Sequence, residues 1–326
     1  MAQGTVQSTW RDFVIGGHAV SIGFAGPALA PMLTPALEHL GSASPRAPDL
    51  TVLAWDSRST GVDMPSPPWT VDAYSVRGEV TGLGEGRFRA VFQADFGGLS
   101  VIDLEQDLAV FWVKDARDLT SSERAAPFLR ILHWWMAENG RHVVHAAAIG
   151  TSSGTVILGG AGGSGKSGTA LACLKAGLLY SADDYCLLGN QRPATAHSMY
   201  NSAKVHSRDL ERLPFLGPLV SNPNRDESEK ALFFLHQHFP SQLCAPVTLR
   251  AILLPRVTGD SSTRVTSSTA AEAVRVLSPS TIFQLPHAGE ATLRAIASVA
   301  RQVPVYRLDL GTDVERIPDV VAGLLP

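Results

Sequence analysis

Gly160 to Ser167 reads GAGGSGKS, an order of residue types suited to holding phosphate. Glycines let the backbone curl until successive N–H groups point inward at anionic oxygens. A helix opening at the lysine adds the positive end of its dipole. Lys166 would reach the β- and γ-phosphates of a nucleotide such as ATP, and the Ser167 hydroxyl would ligate Mg2+. The expected nucleotide-binding residues are therefore Gly160, Ala161, Gly162, Gly163, Ser164, Gly165, Lys166, Ser167 and Gly168. The bland alternative is a glycine-rich structural turn. Context favours the phosphate loop, because GTVILGG before it reads as a strand and KSGTALACLKAG after it as a helix closed by Gly177.

Seventeen and eighteen residues beyond Lys166 stand Asp183 and Asp184, in LLYSADDYCLL. Water attack on a phosphate needs only a positioning group, whereas transfer to an alcohol benefits from a carboxylate that accepts the hydroxyl proton. Read as one strand, the segment sends adjacent residues to opposite faces. One aspartate would then face an acceptor and the other the metal or lysine. The expectation is Asp183 as base and Asp184, with Ser167, on the metal. The alternative is a strand-end turn in which both aspartates cap backbone amides.

The elements that must position these residues form two blocks. All 6 tryptophans lie at or before Trp135, and the phosphate loop lies after it. In the first block, Arg87 to Val113 alternates apolar with polar residues and breaks at Gly97-Gly98, which predicts an antiparallel strand series. GPALAPMLTPALEHL predicts one or two short helices. SSERAAPFLRILHWWMAENG predicts one helix, capped around Ser121 and Glu123 and ending at Gly140, with Phe128, Ile131, Leu132 and Trp135 on one face. A boundary just after it gives a mixed α+β domain over 1–140 and a catalytic domain over 141–326. In the second block VVHAAAIG, LRAILLPRV and VPVYRLDL read as strands and GEATLRAIASVARQ as a helix. A last helix in TDVERIPDVVAGLL would be opened by a Thr312–Glu315 capping box. Strands alternating with helices predict a layered α/β domain. SNPNRDESEK, from Ser221 to Lys230, reads as a mobile loop.

Composition excludes several classes. Hydrophobic residues make up 45% and charged ones 17%, as in a folded chain, and a net charge of -3 gives no general attraction to nucleic acid or to a membrane surface. VSIGFAGPALAPMLTPAL carries three prolines and two glycines and is a poor membrane span. Cys173, Cys186 and Cys244 have no metal-ligand spacing and read as free thiols. The first residues show no basic region followed by an apolar run, so no signal peptide and a cytoplasmic location are expected. His142, His206, His236, His238 and His287 read as surface or packing residues.

The stretch from Val144 to Leu188, VHAAAIGTSSGTVILGGAGGSGKSGTALACLKAGLLYSADDYCLL, resembles the catalytic core of the HPr serine kinase/phosphorylase family. It is similar most of all to the HPr-kinase-related kinases found with peptide-modification genes, such as the lasso-peptide kinases. Three spacings agree: His145 to Gly160, the loop itself, and the aspartate pair after Lys166. The resemblance implies an HPr-kinase-like P-loop fold, ATP- and Mg2+-dependent phosphorylation of a serine hydroxyl on a peptide or protein, and a homo-oligomer. It also implies His145 as an active-site residue near the phosphates, with Lys166 and Asp183 catalytic. Two features depart from the family. Gly168 stands where the HPr kinases proper carry an acidic residue, and their later LE-x-RGLG signature is absent, the comparable region being NSAKVHSRDL. HPr itself and the reverse reaction are therefore not carried over. Lys204 and Arg208 are candidates for the missing positive charge, against the alternative that both are simply solvated. Two other functions fit the motifs, a kinase of small hydroxyl compounds such as free serine or a sugar, and an ATP-binding regulatory protein with little turnover.

Overall fold

The structure is a computed structural model and describes residues 8–43, 46–243, 247–285, 287 and 289–325. The chain is a mixed α/β protein that divides between Trp135 and Met136, inside the helix after which composition sets the boundary.

In the first unit β1 (Ser8–Ile15) and β2 (His18–Ala25) form a hairpin. The short helix α1 (Leu29–Leu33) leads to β3 (Leu50–Asp56), parallel to β2, and then to the single turn α2 (Ser57–Thr60). The predicted strand series appears as β4 (Phe88–Gln93), β5 (Gly98–Asp103) and β6 (Leu108–Val113), antiparallel to one another, with β6 parallel to β3. The sheet order is β1-β2-β3-β6-β5-β4. Val20, Ile22, Phe24, Val52, Ala54, Ala109 and Phe111 alternate onto one buried face. Phe128 packs there, its ring centroid 6.2 Å from Phe24 and 5.1 Å from Phe111. The predicted single helix is two, α3 (Ser121–Ala125) and α4 (Leu129–Glu138), because Pro127 cannot continue the first and Phe128 adopts φ 58°. Its cap is Thr120, whose hydroxyl accepts from Glu123 N at 3.2 Å. Trp134 and Trp135 are core residues, while Trp10 is 49% exposed.

The second unit runs β7 (Arg141–Val144), β8 (Ala146–Thr151), β9 (Gly154–Gly159), α5 (Lys166–Lys175), β10 (Leu179–Ala182), β11 (Cys186–Gly189) and β12 (Thr195–Ser198). A separate hairpin follows, β13 (Ser202–Val205), the turn α6 (Ser207–Leu210) and β14 (Ala231–Phe234). Then come β15 (Val247–Val257), β16 (Arg264–Ser267), α7 (Ala270–Ile282), α8 (Gly289–Ala300), β17 (Val305–Leu310) and α9 (Ile317–Ala322). Strands β9, β15 and β17 are parallel and form the centre of a mixed sheet. Both faces are buried, which is why these strands read as continuous apolar runs. Val156, Leu158, Ala251 and Leu253 point towards a core shared with α5, α9 and the β13–β14 hairpin. Ile157, Ile252 and Leu254 point to the opposite core with α7 and α8.

The last helix departs from its predicted cap. It begins at Ile317 after a 3-10 turn, and Asp313 instead accepts from Thr263 N at 2.9 Å and Thr263 Oγ1 at 2.7 Å. Ser221 to Lys230 forms turns with no helix or strand. Cys173 and Cys186 are buried free thiols, each pushed up to about 12 by burial, and Cys244 lies outside the described residues. Among the described residues no helix is long and apolar enough to cross a membrane.

Leu253 sits in β15 between two parallel neighbours with no exposure. Leu253→Ala should lower stability by roughly 2–5 kcal/mol in chemical denaturation, whereas Leu53→Ala, on an exposed position of β3, should change it by less than about 1 kcal/mol.

Candidate active site

The loop after β9 crosses from Gly160 to Gly165 and enters α5 at Lys166. Gly163 and Gly165 take φ 80° and 102°, a region that disfavours side chains, and a Cβ on Gly165 would lie 2.3 Å from Leu310 Cδ1. Gly165 therefore lets the loop seat directly on β17. The crest, Ala161 to Gly163, is exposed. Lys166 is turned back beneath it: Nζ donates to Gly160 O at 2.7 Å and Ala161 O at 3.2 Å, with only 6% of the residue exposed. Burial lowers its pKa, Asp183 and Asp184 oppose that shift, and Lys230 adds to it.

The aspartates do not lie within a strand. Strand β10 pairs with β8, and β11 pairs with β7. Two chain segments thus run side by side, and both break at the same level. One breaks at His145, between β7 and β8; the other breaks at Asp183–Tyr185, between β10 and β11. The register already shifts between Tyr180 and Ala182, a bulge of the kind that re-aims side chains. The expected alternation of the two aspartates across a strand is replaced by a break that gathers His145, Asp183 and Asp184 together.

Asp183 is 2% exposed; Oδ2 accepts from Lys204 N at 3.2 Å, and Oδ1 is buried without a hydrogen-bond partner. Burial, then the neighbouring Asp184 charge, raises its pKa to about 7, although the Ser167 hydroxyl, the Lys204 amide and Lys166 pull it down. Asp184 behaves oppositely. Burial would raise it too, but the Lys204 ammonium and His145 more than offset this and hold it well below the usual carboxylate range. Lys204 Nζ lies 3.0 Å from Asp184 Oδ2, and His145 Nε2 lies 3.7 Å from Oδ1. Lys204 is thus an ion-paired, largely buried residue rather than a solvated one. Arg208 is the solvated one, with 77% side-chain exposure.

His145 is held from a second side. Its backbone N donates to Thr281 Oγ1 at 3.0 Å, its Nδ1 is 3.4 Å from Gln284 Nε2, and Tyr185 OH donates to Gln284 Oε1 at 3.0 Å. The sequence-predicted residues that come together are therefore His145, Lys166, Ser167, Asp183 and Asp184, with Lys204. Ser167 is set beside Asp183, while Asp184, expected on the metal, is engaged by Lys204 and His145. His142 is buried on β7, and His206 and His238 are exposed. Sequence reasoning missed Thr281, Gln284 and Lys230, which come from distant segments with no motif; the one signal was a lysine ending a polar loop just before the apolar ALFF.

No known protein-family profile matches the chain, and no curated protein matches it. Among solved structures it is similar to the Hpr(Ser) kinase/phosphatase from Coxiella burnetii, at 10% identity and TM-score 0.31, over 56% of this chain and 93% of that one. At that level nothing about chemistry follows. The site must be read from its own residues.

The two carboxyls give opposite pH dependences. Asp184, lowered, contributes stability above pH ~4 that is lost on acidification. Asp183, raised to about 7, opposes folding increasingly as pH rises from ~4 to ~7. Asp183→Asn should therefore match the parent protein near pH 4.5 and exceed it by roughly 1–4 kcal/mol at pH 8, read from denaturation at both pH values.

Proposed function

We propose that the chain is an ATP-dependent phosphotransferase that moves the γ-phosphoryl group to a serine-type hydroxyl of a peptide or protein. The observation that carries the reading is the buried, unpartnered Oδ1 of Asp183 beside Ser167 and Lys166 at the mouth of a glycine loop. An orphaned carboxylate oxygen in that place is a group awaiting a proton or a cation.

The residues fit both ATP and magnesium. A Cβ on Gly162, Gly163 or Gly168 would meet nothing within 4 Å, so the loop crest has open space before it. Ser164 Oγ is a second buried polar atom without a partner. The Ser167 hydroxyl and the Asp183–Asp184 carboxyls supply oxygen donors of the kind magnesium takes. Ser167 and Asp184 remain the residues proposed to hold it. When bound, the ion would offset charge on the phosphates.

Within this reading Lys166 exchanges the carbonyls of Gly160 and Ala161 for phosphate oxygens. Asp183, as carboxylate, takes the proton of the acceptor hydroxyl. The hydroxyl oxygen forms a bond to the γ-phosphorus as the bond to the bridging oxygen breaks, and ADP leaves. Without metal the carboxyl titrates near neutrality, and bound magnesium would favour its carboxylate form, the form that accepts the proton. In the metal- and nucleotide-free protein Asp184 keeps its charge through Lys204 and His145 and so raises the affinity of Asp183 for a proton. His145 is proposed to position Asp184 and to lie close to the phosphates. The N-terminal domain, expected over 1–140, is proposed to recognise the acceptor or a partner.

Incubation with ATP and magnesium against serine- and threonine-bearing peptides plus free serine, read by intact mass, tests the reading. A peptide should gain one phosphoryl group, and Asp183→Asn should slow the gain by roughly 10²–10⁴-fold. Phosphoserine as sole product would move the assignment to a small-molecule kinase. ATP binding that is unaffected in Asp183→Asn, with no product from any acceptor, would instead indicate a regulatory nucleotide-binding protein.

A further inference from the structure

The His145 ring sits between an acceptor and a donor. On one side its Nε2 lies 3.7 Å from Asp184 Oδ1, in a carboxylate that Lys204 Nζ, 3.0 Å from Oδ2, keeps charged. On the other side its Nδ1 lies 3.4 Å from Gln284 Nε2. An amide nitrogen donates and does not accept. Tyr185 holds the amide in that orientation, because its hydroxyl donates to Gln284 Oε1 at 3.0 Å and so engages the oxygen. Tyr185 follows Asp184 directly in the chain, and its ring lies 5.7 Å from the His145 ring. The contacts therefore form a circuit, from Asp184 through His145 and Gln284 to Tyr185 and back along the chain.

The backbone on both sides of the contact is fixed. Thr281 has no exposure, and its hydroxyl accepts from His145 N at 3.0 Å. Gln284 N and Leu285 N both donate to Thr281 O, at 3.2 and 3.1 Å, and Leu285 is buried. Gln284 thus leaves the end of α7 at a determined place, although the residue is exposed. Farther up α7, a Cβ on Gly159 would overlap the Leu277 side chain. The helix that carries Thr281 therefore also rests on the strand that feeds the glycine loop.

A neutral imidazole carries one proton, and the partner at one nitrogen decides what the other presents. A proton on Nδ1 would set donor against donor at Gln284 and aim the Nε2 lone pair at the Asp184 charge. A proton on Nε2 satisfies both ends. We propose that Gln284, oriented by Tyr185, is a positioning residue for the phosphoryl transfer, which holds His145 in the tautomer that faces Asp184 as a donor. The inference rests on the phosphotransferase reading and adds to it the residues that determine what His145 offers the site. His145 neither gains nor loses a proton in the step, since Asp183 takes the proton of the acceptor.

Nitrogen-15 NMR of the full chain, labelled at histidine and assigned with His145→Gln, reads the tautomer at about pH 8.5, where an ordinary imidazole is neutral. Transfer from ATP to a serine peptide is measured on the same preparations, and thermal melting checks that each variant is folded. The native ring should carry its proton on Nε2 and leave Nδ1 bare. Gln284→Glu, which offers Nδ1 an acceptor, should place a proton on Nδ1 and lower kcat roughly 10–100-fold with the KM for ATP unchanged. Tyr185→Phe, which frees the amide to turn, should shift both readouts in the same direction but less. A native ring protonated on Nδ1, the same tautomer in native protein and Gln284→Glu, or an altered tautomer with an unaltered kcat would each overturn the role of Gln284 and leave the phosphotransferase reading standing. A native protein that transfers no phosphoryl group, with a tautomer that still follows residue 284, would overturn that reading and leave Gln284 as the determinant of the His145 tautomer alone.

Discussion

Two adjacent carboxyls inside a protein cannot both keep full charge unless cations are supplied to each. Asp183 and Asp184 meet that constraint unequally. Lys204 and His145 converge on Asp184, leaving Asp183 with a backbone amide, a hydroxyl and an unpartnered oxygen. The unequal division separates two chemically identical side chains into a permanent anion and a group that titrates near neutrality. Environments that split paired carboxyls in this way are how a single fold assigns acid and base roles.

The rest of the second unit serves that division. The double break in β7–β8 and β10–β11 exists because the two segments pair above and below the site and leave a gap between their ladders. Strand β13 delivers both the Lys204 amide to Asp183 and the Lys204 ammonium to Asp184. The position of that hairpin is fixed by its own core face against α5, and Tyr180 OH ties β10 to Ser202 O at 2.8 Å. Helix α5 carries Lys166 and Ser167 on its first turn, so the packing that buries Leu171 and Leu174 also places these side chains of the glycine loop beside Asp183. Packing and site are thus one arrangement.

Sequence legibility followed how local each cause was. The loop and α5 were readable because glycines, lysine and the apolar strand before them lie within twenty residues. The buried parallel strands announced themselves through uninterrupted apolar runs such as GTVILGG. The breaks at His145 and Asp183–Tyr185 were hidden in VVHAAAIG and LLYSADDYCLL, since they depend on pairing between two segments rather than on either alone. The same applies to Lys204, whose partner is twenty residues earlier on another element, and to Asp313, drawn off its predicted cap region by Thr263. The division of the helix around Pro127 was readable in principle from the proline itself; its apolar periodicity concealed it.

Direct titration of the Asp183 carboxyl decides the matter most cleanly. Carbon-13 NMR of the side-chain carboxyl, assigned with Asp183→Asn, would be followed from pH 3 to 9 in nucleotide- and magnesium-free protein. The account predicts a midpoint near 7, as burial and the Asp184 charge require, falling when Asp184 is replaced by asparagine. A midpoint near the ordinary aspartate value of about 4 would contradict it, because Asp183 would then be an ordinary anion with no tuned affinity for a proton.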